Sequence, residues 1–340
     1  MIGPPLLEDC ILSRRGSILG GAAVLALAVL SAPLPAARAA EPAPLVIGGG
    51  EVTGYYFPVA GALCRVINKE RPHGRTCAVM PSSGSGANLT ALRNGEVDLA
   101  LVQSRAAVQA MKGEEGFREA GPLPDLKALM ALHGEVAVVA ARPGSGIERL
   151  ADLKGKRVNL GRPGSFQRMM AETVLEAAGI SQGDLSVLVE LDLAEQVTQL
   201  CEGNIDAAVF TGIHPMPEVQ SAIEECGATL VPIRDKAIEP YLRKTPWLAR
   251  FTLRGGTYDG QKTEVPALGL KTLLVTTRLP AEEVEELMRA IAANFGALTR
   301  LHPALKDLSR SDTSRDGIPI PFHEGVERAS LPEKAPPEKK

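Results

Sequence analysis

Two segments of this chain follow one plan. Gly95-Glu96-Val97-Asp98 opens an apolar run from Leu99 to Val102 that ends at Gln103-Ser104. Gly203-Asn204-Ile205-Asp206 opens a second run, Ala207 to Phe210, that ends at Thr211-Gly212, 108 residues later. Each half also holds a Gly/Ser loop between a strand pattern and a helix pattern, Pro81 to Gly86 in one and Gly161 to Ser165 in the other. Short apolar runs bounded by turn residues and alternating with helical periodicity argue for α/β units on a mostly parallel sheet. A chain that does this twice is confined to two α/β lobes of like construction.

The rest of the pattern fills in around that repeat. Leu45 to Ile47 reads as a buried strand, followed by a helix through Phe57 to Asn68 with Ala60, Leu63, Cys64 and Ile67 on one face. Thr76 to Met80 is a strand, and Ala87 to Arg93 a helix that Asn94-Gly95 stops. In the second half Val136 to Ala141, Arg157 to Leu160 and Leu185 to Glu190 read as strands. Ile147 to Leu153, Phe166 to Ala178 and Leu193 to Cys201 read as helices. A strand from Lys271 to Thr277 and a helical stretch from Ala281 to Leu301 close the pattern.

The two ends read differently. Arg14-Arg15 precede a 13-residue apolar run, Ile18 to Leu30, and Ala37-Arg38-Ala39 supplies a small-residue cleavage site. That is the layout of a cleavable signal peptide over residues 1–39, too short for a membrane span of about 20 residues. Ser13-Arg14-Arg15-Gly16 also resembles a twin-arginine signal, with Ser17 where that motif usually has Phe. No lipid-attachment Cys follows, so a free periplasmic protein is expected. Residues 330–340 are mostly Pro, Lys and Glu and are expected to be disordered.

Export frames the cysteines. Cys10 leaves with the signal, and Cys64, Cys77, Cys201 and Cys226 remain. Four cysteines allow three connectivities. The close pairs, Cys64–Cys77 and Cys201–Cys226, are favoured because each stays within one local unit; the alternative is buried free thiols. With 37 basic and 40 acidic residues there is no basic excess to suit nucleic acid.

Enzyme and cofactor patterns fail one by one. Gly48-Gly49-Gly50-Glu51-Val52-Thr53 misses the dinucleotide fingerprint because Thr53 holds its last glycine position. No Gly-x-x-x-x-Gly-Lys-Ser/Thr phosphate loop occurs, and neither Ser85 nor Ser165 has the flanking glycines of a nucleophile elbow. His73, His133, His214, His302 and His323 show no metal-ligand spacing. No catalytic residue, metal ligand or cofactor is therefore assigned. An exported hydrolase on the same cleft would need a nucleophile–base pair that is not visible.

Small-ligand binding fits better, because open α/β sheets take ligands at strand exits, where loop N–H groups and hydroxyls converge. The candidate contacts are Thr53, Tyr55 and Tyr56 after the first strand, and Ser83, Ser85 and Asn88 in and after the first Gly/Ser loop. Gln103 and Ser104, then Arg162, Ser165, Phe166 and Gln167, and finally Thr211 and His214 complete the set. Arg162 and Arg105 are the cations placed to select a carboxylate, and together they point to dianions.

At these residues the chain resembles the TAXI family, the solute-binding subunits of TRAP (tripartite ATP-independent periplasmic) transporters. The resemblance is carried by Gly54-Tyr55-Tyr56-Phe57-Pro58, Ser83-Gly84-Ser85-Gly86-Ala87-Asn88, Gly95 through Ser104, Asp152-Leu153-Lys154-Gly155-Lys156 and Gly255-Gly256-Thr257-Tyr258. It runs in order from about residue 45 to 325. It implies a type II periplasmic-binding fold: two α/β lobes, a two-stranded hinge and a ligand cleft between them. On this chain the lobes are expected at 45–134 plus 278–325 and at 136–277, with crossings near His133–Val136 and after Val275. The resemblance further implies a small carboxylate solute (glutamate, 2-oxoglutarate or dicarboxylate type), handed to a TRAP membrane permease by a monomer, without ATP. An orphan receptor for a membrane sensor kinase is the alternative. Arg105 stands where the family often has Asp, and His133-Gly134-Glu135 where Tyr-Pro-Glu is common.

Overall fold

The computed structural model describes residues 42–234, 238–306, 308 and 317–329; the segment expected to be a signal peptide (1–39) and the tail expected to be disordered (330–340) lie outside them. Among the described residues no helix is long and apolar enough to cross a membrane.

The first half builds strands β1 (Leu45–Gly48), β2 (Cys77–Met80) and β3 (Leu99–Gln103) with helices α1 (Tyr56–Glu70), α2 (Ser85–Asn94) and α3 (Ser104–Lys112). The chain then enters β4 (Lys127–Ala141). The second half holds β5 (Arg157–Asn159), α4 (Phe166–Ala177), β6 (Val187–Val189), α5 (Leu193–Cys201), β7 (Ala207–Gly212) and α6 (Pro217–Cys226). It continues through β8 (Thr229–Val231), α7 (Ile238–Lys244) and β9 (Leu248–Leu253) to β10 (Val265–Thr276). Helices α8 (Ala281–Ala293), α9 (Phe295–Leu298) and α10 (Glu324–Ala329) follow. Only a short 3-10 turn, Leu150–Leu153, forms where a helix from Ile147 is expected. The helical stretch after Ala281 breaks at Asn294.

All ten strands join one sheet in the order β2-β1-β3-β10-β4-β7-β5-β6, with β8 on β4 and β9 on β10. Pairs within β1–β3 and within β5–β7 are parallel; β4 and β10 pair antiparallel with their neighbours. These two strands are 15 and 12 residues long, almost wholly buried, and read as near-continuous apolar runs, as strands covered on both faces do.

The core divides along those two strands. Leu129, Leu132 and Leu274 pack with α1 and α8, and Ala128, Leu273 and Val275 with α2 and α3. Ala137, Val139, Leu268 and Leu270 pack with α4, while Val136, Val138, Val265 and Ala267 pack with α6 and Tyr258. Strand β4 therefore passes between the halves from Leu132 to Val136. In strand β10 the packing changes from the α4 cluster at Leu270 to the α2 and α3 cluster at Leu273.

The repeated Gly-x-(Val/Ile)-Asp motif is a clamp. Gly95 and Gly203 take positive φ, 76° and 77°, which a glycine adopts without a Cβ clash. Asp98 then accepts the Val46 N–H at 2.9 Å and returns its own N–H to the Val46 carbonyl at 2.9 Å. Asp206 does the same with Arg157, at 2.9 Å and 2.8 Å. Guanidinium partners complete both: Arg75 on Asp98 at 3.2 Å, Arg142 and Arg157 on Asp206 at 2.9 Å and 2.8 Å. Hydrogen bonds from Arg157 hold the Asp206 carboxyl far below its ordinary range. The structure pairs Cys64 with Cys77, tying α1 to β2, and Cys201 with Cys226, tying the ends of α5 and α6, with Cα separations of 5.0 Å and 4.9 Å.

Candidate functional site

Strand exits of the first half meet the crossing strands around one carboxylate. Tyr56, the first residue of α1, donates its hydroxyl to Glu135 Oε1 at 2.6 Å. Gln103, the last residue of β3, donates Nε2–H to Glu135 Oε2 at 2.7 Å. Thr272 of β10 adds a hydroxyl at 3.3 Å from Oε1 and sits 3.2 Å from His133 Nδ1. Ser85, opening α2, accepts the Gln103 backbone N–H at 3.0 Å. Burial raises the Glu135 pKa above the ordinary carboxylate value, against the pull of its three donors. Tyr56 is raised by burial and then by the Glu135 charge, and burial pushes His133 down to about 3.

An ionised Glu135 would be fed by every neighbour, so the Thr272 proton turns toward it and His133 Nδ1 donates to Thr272. That leaves His133 Nε2 as a bare acceptor, and this buried nitrogen has no partner.

Paired residues on antiparallel strands share a face, which orders the crossing. Leu270 pairs Glu135 and Thr211 pairs Ala137, so Thr211 lies on the Glu135 side; Lys271 pairs Gly134 and lies on the other. On that other side is a cavity of about 810 Å³. Leu132, Pro303 and Ala304 wall it from one half, Ile213, His214 and all of β9 from the other, and Gly134 and Lys271 form part of its floor. Its ionisable lining carries Lys271, Arg243, Arg250 and Arg254 against Glu264, besides His133 and His214.

The sequence-derived contacts fall into distinct groups. Tyr56, Ser85 and Gln103 converge at Glu135, whereas Thr53 and Ser83 are exposed, as is Tyr55, which stands edge-on to His302 at 6.0 Å. Asn88 is fully buried and donates to the carbonyls of Gly48 (3.1 Å), Leu101 (2.8 Å) and Gly49. Its place is in the scaffold beneath the loop. Ser104 donates to the Trp247 carbonyl at 2.7 Å. Arg105 binds both Glu115 oxygens at 3.0 Å and 3.1 Å, with its guanidinium 5.5 Å from the Trp247 ring centroid.

In the second half Arg162 is exposed and paired with Asp192 at 3.0 Å. Ser165 caps α4 by accepting the Arg168 N–H at 3.0 Å, and Phe166 packs against the core. Gln167 bridges Gln196 and the Val209 carbonyl, both at 2.9 Å. The buried Thr211 hydroxyl has no partner.

His214 is held on both nitrogens. Tyr258 accepts the Met216 N–H at 2.9 Å and gives its own proton to His214 Nδ1, leaving Nε2–H to donate to the Val136 carbonyl at 3.1 Å. Burial lowers its pKa to about 4, although the Val136 carbonyl raises it. Of the sequence-derived contacts, His214 alone lines the cavity.

Glu135, His133 and Thr272 were not among those contacts. Their signal is a polar trio, His133-Gly134-Glu135, inside an otherwise apolar strand. Charge and hydrogen-bonding capacity in the middle of such a run need a partner, and Thr272 of the neighbouring strand supplies one to both His133 and Glu135.

The architecture matches solved structures. A TctC solute binding protein from Polaromonas superposes with a TM-score of 0.52 at 18% identity, over 78% of this chain and 86% of that one. The periplasmic aliphatic sulphonate binding protein SsuA from Escherichia coli aligns at 18% identity over 79% and 80%, with a TM-score of 0.45. An ancestral arginine-binding protein aligns at 16% identity over 78% and 98%, with a TM-score of 0.40. The first of these shows the fold: a mixed α/β chain with a curled sheet in the two-lobe arrangement of periplasmic solute-binding proteins. Residues 47–330 match the NMT1-like family, and the chain belongs to that family.

Proposed function

We propose that this protein is an exported solute-binding protein that captures a small carboxylate (glutamate, 2-oxoglutarate or dicarboxylate type) and delivers it to an ion-gradient-driven TRAP permease. The observation that carries the reading is the cavity beside the crossing strands, walled from both halves, whose lining holds Lys271, Arg243, Arg254 and the Glu239-paired Arg250 together with Glu264. Family membership, the fold and the TAXI-like motifs support it. The lobes are taken as residues 45–134 with 273–325, and 136–270, with β4 and β10 as the hinge. Ligand touching both lobes favours the arrangement in which both contact it, which is how binding biases a hinge. No step of this role needs catalysis.

A thermal-shift screen of the refolded mature protein tests it, with carboxylates, amino acids including arginine, sulfonates and sugars. Unfolding and refolding removes any co-purified solute. A ligand at 100 times its dissociation constant adds about 2.7 kcal/mol, which is several degrees at this size. A shift confined to carboxylates is the expected result. A shift with sugars or sulfonates alone, or none at all, overturns the carboxylate assignment.

A further inference from the structure

Strands β3 and β9 lie end to end along one edge of β10. Gln103 of β3 pairs Thr272 and Leu248 of β9 pairs Leu270, so the gap between them falls opposite Lys271. Ser104 fills that gap. It is fully buried, accepts the Lys271 N–H at 3.3 Å, and spends its single hydroxyl proton on the Trp247 carbonyl at 2.7 Å. A turn fixes that carbonyl, because Leu248 N–H donates to the Thr245 carbonyl at 3.0 Å. The next residue, Arg105, lays its guanidinium 5.5 Å from the Trp247 ring centroid and is held by both Glu115 oxygens.

These partners belong to different lobes. Ser104 and Arg105 open α3, whose Ala107 and Ala110 pack with Val102 in the first lobe, while Trp247 packs with the α4 core of the second. We propose that Ser104, Arg105 and Trp247 form a clasp across the hinge that holds the two lobes in the arrangement described here and so sets how much ligand-free protein adopts it. The proposal rests on the two-lobe reading given above. Any rotation that separates the end of β3 from the start of β9 stretches the Ser104 hydrogen bond and lifts the guanidinium off the indole together. Both contacts are strongest while water is kept out, so breaking one loosens the other. Ser104 and Arg105 follow a strand exit, where a ligand contact is the ordinary expectation, yet each touches the opposite lobe. They act on binding through the hinge, because apparent affinity falls with the fraction of competent protein.

Trp247 is the only tryptophan in the chain, so its emission reports the clasp directly. The experiment uses ligand-free refolded mature protein and reads Trp247 fluorescence, small-angle scattering, and hydrogen exchange over the β10 segment around Lys271. Arg105→Ala and Ser104→Ala are expected to red-shift the emission. Ser104→Ala should also speed exchange at the Lys271 amide, and the double variant should enlarge the radius of gyration. Arg105→Lys, which keeps a cation over the ring, should stay close to wild type, a difference that a merely structural role would not produce. If Ser104→Ala fails to fold, Arg105→Ala and Arg105→Lys carry the test alone, read by emission and scattering. Unchanged emission in Arg105→Ala overturns the proposal, as does a red shift with no change in scattering. Scattering that ignores these variants but responds to the carboxylate found by thermal shift overturns the clasp and leaves the two-lobe reading standing. Absence of carboxylate binding fails the assigned solute class without touching the clasp.

Discussion

Asp98 and Asp206 occupy the same place in the two halves, and so do the amides of Asn88 and Gln167. Each aspartate locks onto the backbone of a neighbouring strand through a reciprocal pair of hydrogen bonds. Each amide springs from the start of the helix after a Gly/Ser loop and reaches a strand carbonyl, Leu101 at 2.8 Å in one half and Val209 at 2.9 Å in the other. Leu101 and Val209 are themselves equivalent in the repeat. Beyond that point the halves part. Gln103 turns to Glu135 and Ser104 to Trp247, while Thr211 keeps a buried hydroxyl without a partner and Gly212 lies against Met216, whose sulfur a Cβ there would meet at 3.0 Å. The repeated residues build the scaffold. Where the repeat breaks, at the last two residues of each strand exit, the halves acquire separate tasks.

The clamp comparison is the easiest to break. Asp206→Ala leaves a strand N–H and two partly exposed guanidinium groups without their carboxylate, so it should cost about 3 kcal/mol, at the low end for removing one partner of a buried ion pair because water can reach the arginines. Asp98→Ala should cost about 2 kcal/mol, since its carboxylate is more exposed and Arg75 keeps Glu283 as a second partner. Urea unfolding of both variants at neutral pH measures the difference. Equal costs would mean the two clamps are energetically interchangeable. No cost at Asp98 would mean that only the second is a clamp at all.

Much of the scaffold could be read from residue order because it depends on local rules. The Asn94-Gly95 stop, the apolar strand runs and the Ser165 cap are decided within a few residues, and α2, β3, β7 and α4 form where those signals stand. Strand β4 was legible only from Val136 onward. Lys127 to Glu135 is interrupted by His133-Gly134-Glu135, and only the pairing with β10 explains why polar residues sit inside a buried strand. The same holds for the site. Tyr56, Ser85 and Gln103 carry local signals at element ends, but Glu135 and Thr272 become partners through contacts 137 residues apart in the chain. Trp247 is likewise tied to Ser104 across 143 residues. No periodicity encodes such meetings.

Each half also buries a histidine at its end of the crossing, and acid should expose both. His133 titrates at about 3 and His214 at about 4, both below the ordinary value because burial disfavours the charged ring. A depressed pKa contributes stability that is fully present above the unfolded value of about 6.5 and is lost as pH falls toward the folded one. At pH 5 each histidine should therefore account for about 2 kcal/mol of lost stability. Glu135 works in the opposite sense: its raised pKa stabilises the protonated form, and that contribution is lost as pH rises through the folded value. His133→Gln and His214→Gln should each remove about half of the histidine-linked loss between pH 7 and 5, measured by urea midpoints. A full acid loss that persists in both variants would show that neither half's histidine is the sensor.

The smallest effect sharpens the comparison between the two arginines that follow from the sequence. Arg105 sits on an indole and on Glu115, whereas Arg162 reaches Asp192 from a side chain 63% exposed. An exposed pair of this kind is screened by solvent and loses side-chain entropy on forming. Arg162→Ala should accordingly change stability by no more than about 0.5 kcal/mol. Its effect on solute binding then isolates the ligand. If Arg162 leaves Asp192 to meet a dianion on closure, the variant weakens dicarboxylate binding far more than monocarboxylate binding, in paired calorimetric titrations with a ligand of each class. Equal affinities before and after substitution would place charge selection in the cavity lined by Lys271, Arg243 and Arg254, leaving the exposed arginine to hold its loop to the start of α5.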